Sequence, residues 1–110
     1  MNTPKIGRLR EPEARLLALQ IAATFPGYTA STTQIKKSAP DYREFTEADL
    51  RPSSTRPNEH KWEQIIGNAT GSHQPSSVSI FNKGYAVKTA DGIQVTDKGI
   101  AHLKSKGLYE

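Results

Sequence analysis

The chain has 110 residues, enough for one domain with a single core cluster and too few for a second. Hydrophobic residues make up 35% and charged residues 24%, the composition of a small, surface-rich domain whose prolines and glycines punctuate periodic segments without forming a low-complexity tract. A formal charge of +4 favours acidic partners; lack of cysteine excludes disulfides and thiolate sites and suits a cytoplasmic location, and no apolar run approaches a membrane span or a signal-peptide core.

The charge is unevenly placed. Residues 1–50 carry seven Lys or Arg against six Asp or Glu, whereas residues 51–110 carry eight against five. Residues 1–12 read as a flexible N-terminal arm and 13–110 as the folded domain. From Glu13 to Phe25, Leu16, Leu17, Ile21 and Phe25 form a helical stripe widened by alanines and Leu19, which predicts a core helix ended by Pro26-Gly27. Tyr28–Ala30 reads as a short extended segment, after which Ser31 or Thr32 caps a brief helix limited by Pro40. In DYREFTEADLRP, Thr46 and Asp49 have capping spacing for one helical turn ending by Arg51. Asp41, Glu44, Glu47 and Asp49 make that patch acidic, so it is expected to face away from any nucleic acid.

The segment from Arg51 to Gln74 organises the rest. Trp62, Ile65, Ile66 and Ala69 fall at i, i+3, i+4 and i+7, the apolar face of a helix over about 58–74, with Asn58 as N-cap behind Pro57. His60, Gln64 and Gly67 project opposite that face, with Lys61 and Asn68 on its shoulder. Tyr85–Lys88 and Ile93–Thr96 then flank Asp91-Gly92, predicting a β-hairpin over about 85–96 with Gly92 at a positive-φ turn position; Val78, Ile80 and Phe81 are expected beneath it. Thr96 caps a last helix, Asp97 to Lys104, stopped by Gly107. The order is mainly α with a β-hairpin. A helix-turn-helix followed by a hairpin has the geometry of a winged helix, with the longer helix in a major groove and the hairpin on flanking backbone.

Enzyme chemistry finds no footing. The three histidines, His60, His73 and His102, lack metal-ligand spacing, the serines at 53–54, 72 and 76–77 sit in no nucleophile motif, and Glu59-Glu63 is explained by a solvated helix face. No cofactor or metal is expected. Arg51, Arg56 and Lys61 are candidates for phosphate contact, since long cations on a proline-stiffened loop approach the helix N-terminus; the alternative is surface solubility. Gln64 and Asn68 suit bidentate readout of adenine, or are simply polar residues on an exposed face. His60, expected to be exposed, could hydrogen-bond a phosphate or base, though exposed histidines usually have no such role. Lys83 and Lys88 flank the hairpin as wing lysines would, though strand lysines also protect edges. Gly67 costs on the order of 1 kcal/mol against alanine in a helix interior, which requires either close backbone packing or the approach of a ligand.

The segments LLALQI, TTQIKK, KWEQIIGN, GIQVTDKG and HLKSKG together resemble the winged-helix domain at the N-terminus of Mrr-type restriction proteins and its stand-alone relatives. That family has an apolar first helix, a helix-turn-helix, a tryptophan-bearing third helix and a hairpin running into an I-x-[IV]-T-x-x-G close. The resemblance implies DNA binding, often as the targeting module of a defence nuclease; the expectation for this chain is binding of double-stranded DNA, in transcription regulation or as the recognition module of a restriction-modification or mobile-element system, with a nuclease or another protein subunit as candidate partner. Cleavage is not carried over, because this chain has no room for the nuclease domain. The loop RPSSTRPNEHK is longer than a minimal helix-turn-helix turn. The alternative from the same fold is a protein-interaction module.

Overall fold

The computed structural model describes residues 9–53, 58–71 and 79–109. Helix α1 (Glu11–Ala22) opens on Glu-Pro-Glu, where the N–H that proline lacks would have no partner, and the Glu13 carboxylate accepts the Arg10 N–H at 2.9 Å. It begins and ends earlier than the periodicity placed it, leaving Phe25 beyond its end. Ala14, Leu17, Ala18, Leu19, Ile21 and Ala22 are all buried, a stripe wide enough to make α1 the central rod. Leu9 is 3% exposed, and its N–H donates to Asp49 Oδ1 at 2.7 Å. The described end of the expected arm is therefore part of the fold, while residues 1–8 lie outside the described residues.

A tight turn at Pro26–Tyr28, with Gly27 at φ 67°, reverses the chain into strand β1 (Thr29–Ser31). Ser31 then starts α2 (Thr32–Ser38) through a reciprocal box: its Oγ accepts the Gln34 N–H at 3.0 Å, and Gln34 Oε1 accepts the Ser31 N–H at 2.8 Å. Pro40 sits in a short 3₁₀ turn, Ala39–Asp41. The Thr46/Asp49 pair also behaves as its spacing predicts, with Asp49 Oδ2 accepting the Thr46 N–H and Thr46 Oγ1 accepting the Asp49 N–H. Yet Asp49 is buried and does not belong to the acidic surface patch, where Asp41, Glu44 and Glu47 stay exposed.

Helix α3 (Lys61–Thr70) follows, starting two residues later than an Asn58 cap would give. The residues before it are consumed by a two-stranded ribbon: Ser53 N–H donates to Glu59 O at 2.7 Å and Lys61 N–H to Arg51 O at 2.8 Å, leaving His60 as the cap residue. Trp62 is buried, and its indole stacks on Phe45 with centroids 4.3 Å apart and planes at 11°. Ile66, Ala69 and Thr70 complete the inward face, and α3 packs most extensively on α1. Ile80 is buried and Phe81 partly so ahead of the hairpin, while Val78 lies outside the described residues.

Strands β2 (Ala86–Lys88) and β3 (Gly92–Val95) form the expected hairpin. β1 adds a third strand, so the sheet is antiparallel in the order β1-β3-β2, with Ser31 opposite Gly92 and Val95 opposite Ala86. Gly92 corrects the expectation for this turn. It does not have positive φ; it is the first strand residue, and a β-carbon there would lie 2.0 Å from the Ala30 carbonyl oxygen. Close approach of β1 demands the glycine, not turn geometry. Thr96 caps α4 (Asp97–Ser105), its Oγ1 accepting the Gly99 N–H at 3.1 Å, and Gly107 at φ 73° reverses the chain. Four helices and a small three-stranded antiparallel sheet make a mixed α/β fold, more β than a hairpin alone and compatible with the winged-helix expectation.

Candidate functional site

Helix α3 is amphipathic because its apolar residues keep the 3.6 repeat, and this leaves Lys61, Gln64, Gly67 and Asn68 on the side away from the core. Lys61 and Asn68 are exposed, and Gln64 and Gly67 half-buried. Arg51 is exposed beside Lys61, held there by the backbone hydrogen bond from Lys61 N–H to Arg51 O. Two long cations therefore leave rigid backbone at the helix N-terminus, where the helix dipole adds to their positive field. Arg56 lies outside the described residues, as do Pro57 and His73.

Gln64 has an internal task. Its Oε1 accepts the Ser53 hydroxyl at 2.7 Å, tying the ribbon to the helix face. Gln64 is thus held by the ribbon, while Asn68 is exposed on the same side of the helix. His60 is exposed but engaged: its N–H donates to Glu63 Oε1 at 2.9 Å, and its Nδ1 lies 3.6 Å from the same oxygen. The Glu59-Glu63 spacing does not mark one helix face, since Glu59 precedes the helix. Its Oε2 pairs with Lys36 Nζ at 3.0 Å, and this ion pair ties α2 to the entrance of α3.

Close backbone packing is one of the two causes expected for Gly67. Among the described residues a β-carbon there would meet only the Lys36 Nζ, at 3.8 Å, an ordinary contact with a flexible tip. Among the described residues no backbone packs close enough to require it.

The hairpin lysines separate. Lys88 ends β2, and its Nζ donates to Gly92 O at 3.1 Å across the turn. The hairpin is short, and its tip is fastened, since Thr32 N–H donates to Asp91 O at 2.9 Å and Thr32 Oγ1 lies 3.0 Å from Thr70 Oγ1 at the end of α3. Lys83 is not on the hairpin; it lines a pocket between α1 and α4.

Lys36, Ser53, Phe45 and Asp49 position this surface, and the sequence reading assigned none of them that part. Each acts on a partner 11 to 40 residues away, a separation at which local periodicity carries no signal. Among the described residues, no cluster of His, Asp and Glu is arranged to hold a metal ion, and no helix is long and apolar enough to cross a membrane. Comparison with protein-family models, curated proteins and solved structures finds no match to this chain.

Proposed function

We propose that this chain is a winged helix-turn-helix domain that binds double-stranded DNA, presenting the exposed face of α3 to the major groove. The observation that carries the reading is Gly67: a residue unfavourable to the helix stands in the middle of the polar face, where among the described residues no packing requires it. Arg51 and Lys61 supply phosphate contacts at the helix N-terminus, Asn68 reads a base edge, and Lys88 meets flanking backbone. Arg56 belongs with Arg51 by sequence. The function is non-enzymatic and cytoplasmic, that of a regulator or of the recognition module of a restriction or mobile-element system.

Fluorescence anisotropy of labelled duplex against salt tests this. Affinity for random duplex should fall steeply with salt, and Arg51→Gln and Lys61→Gln should each weaken binding to all duplexes alike and lower the slope by about one. Asn68→Ala should keep the slope while relaxing discrimination between sites by roughly 1–3 kcal/mol. Absence of salt-dependent duplex binding near ~50 mM salt, where phosphate-driven association is plain, would overturn the reading. The second reading, a protein-interaction module, draws on Tyr42 and Leu50, two large apolar side chains left 38% and 48% exposed in the connector before α3.

A further inference from the structure

A pocket of about 230 Å³ opens between α1, the turn before β2, and α4. Its apolar lining comes from Leu16, Leu19 and Ile80. One wall is a stacked pair of rings, Tyr85 and His102, with centroids 4.2 Å apart and planes at 12°. Around these stand Arg15, Lys83 and Lys106, each from a different segment of the chain. Among the described residues Arg15 has a carboxylate nearby, Glu11 at 3.8 Å, while Lys83 and Lys106 form no ion pair. Lys98 adds a further positive charge, its Nζ 5.8 Å from the Tyr85 ring centre.

Three cations gathered around an apolar floor repel one another, and an anion seated among them would offset that repulsion. The arrangement suits a ligand with an apolar body and one negative end. A cavity of about 150 Å³ lined by aliphatic side chains accommodates benzene, so this one has room for a ring with its carboxylate. We propose that the pocket between α1 and α4 binds a small amphipathic anion, a one-ring carboxylate in size and charge, with its ring on Leu16, Leu19 and Ile80 and its carboxylate toward Lys83 and Lys106. This site is distinct from the polar face of α3, and the inference does not depend on DNA binding.

The electrostatics of His102 agree. Burial first, then the charges of Lys106 and Lys83, hold its pKa below the ordinary value. The charged and titratable groups around its pocket are Arg15 with Glu11 from α1, Lys83 and Tyr85 from the turn, and Lys98 and Lys106 from the α4 end of the chain. A carboxylate placed among them would favour the imidazolium and raise that pKa.

Titration of the isotope-labelled full chain with benzoate, followed by NMR, tests the site. Millimolar benzoate should shift the signals of Lys83, Tyr85, His102 and Lys106 to saturation and move the His102 titration midpoint upward. Benzamide, which keeps the ring but not the charge, and inorganic phosphate, which keeps charge but not the ring, should each bind about tenfold or more weakly, the loss of one charge-assisted contact or of a ring's burial. Lys83→Gln/Lys106→Gln should lose benzoate affinity to the same degree. Equal binding of benzamide reduces the site to an apolar hole, equal binding of phosphate reduces it to a basic surface, and unmoved signals remove it; each result overturns the proposal. The three probes on the unaltered chain decide the matter even if the double variant misfolds.

Discussion

Lys36 Nζ lies 3.0 Å from Glu59 Oε2, and the side chains of the pair are only 17% and 23% exposed. A partly buried ion pair of this kind does more to fix geometry than to add net stability, because desolvation offsets much of its Coulomb gain. Removing one partner is a different matter, since it leaves the other charge withdrawn from water. Lys36→Met should cost about 1–3 kcal/mol, and Lys36→Met with Glu59→Gln should cost less than the sum of the two single changes. Urea midpoints at constant m measure both. Strict additivity would mean that the pair does not couple α2 to α3.

The Phe45–Trp62 stack joins the irregular segment before the ribbon to the core face of α3. Trp62→Ala should destabilise by roughly 3–5 kcal/mol, as truncation of a buried large aromatic does. A cycle with Phe45→Ala should return a coupling of about 0.5–1.5 kcal/mol for the stack. Were Trp62→Ala to melt like the unaltered chain, the inward assignment of that face would be reversed.

Elements whose cause is local were legible before the structure. The stripe of Trp62, Ile66 and Ala69, the Ser31 and Thr96 caps, and the Thr46/Asp49 turn follow from spacings of three and four residues. What was missed depends on distant partners. Leu9 reads as tail because its anchor, Asp49, is 40 residues on. Asn58 reads as a cap because nothing local shows that Arg51–Ser53 pairs back and moves the helix start to Lys61. Lys83 reads as a lysine flanking the hairpin; it stands exposed before β2, and its place beside a pocket with residues of α1 and α4 has no local signal. On the candidate surface, Lys61 and Asn68 are exposed as periodicity required, and Gln64 is drawn inward by Ser53.

Asp91-Gly92 illustrates a correct residue choice with a different cause. Since a β-carbon at position 92 would fall 2.0 Å from Ala30 O and 2.5 Å from Ser31 Cα, even Gly92→Ala must separate β1 from β3. The expected cost is at the upper end for single substitutions, above about 3 kcal/mol. Hydrogen exchange should show protection lost along β1 as well as in the hairpin. Loss confined to residues of the turn would instead favour local turn strain.

The depressed pKa of His102 gives a signed pH dependence. With the ordinary value at 6.5 and the folded value below it, the unfolded chain takes up this proton first as pH falls. Stability rises with pH wherever the unfolded state binds more protons. The contribution is therefore fully present above pH 6.5 and is lost as pH drops from there through the folded pKa. His102→Phe keeps a ring to stack on Tyr85 and removes the proton. Its melting temperature should fall less between neutral and mildly acid pH than that of the unaltered chain, and an identical fall would assign the dependence to other groups.

Gly67 separates fold from function in one substitution. Among the described residues its β-carbon site touches only Lys36 Nζ, at 3.8 Å, so alanine enters without moving described backbone. Alanine is favoured over glycine in a helix interior by about 1 kcal/mol, and Gly67→Ala should raise the melting temperature. If the face bearing Lys61 and Asn68 lies in a groove, the added methyl stands between helix and bases. Duplex affinity should then fall at every salt concentration, with the salt slope unchanged because no charge is lost. Lys61→Gln gives the opposite signature: little change in stability, since it is exposed, and a shallower slope. A Gly67→Ala chain that is more stable and binds duplex as tightly as before would leave the glycine without a role in recognition, and the groove assignment of α3 would have to be withdrawn.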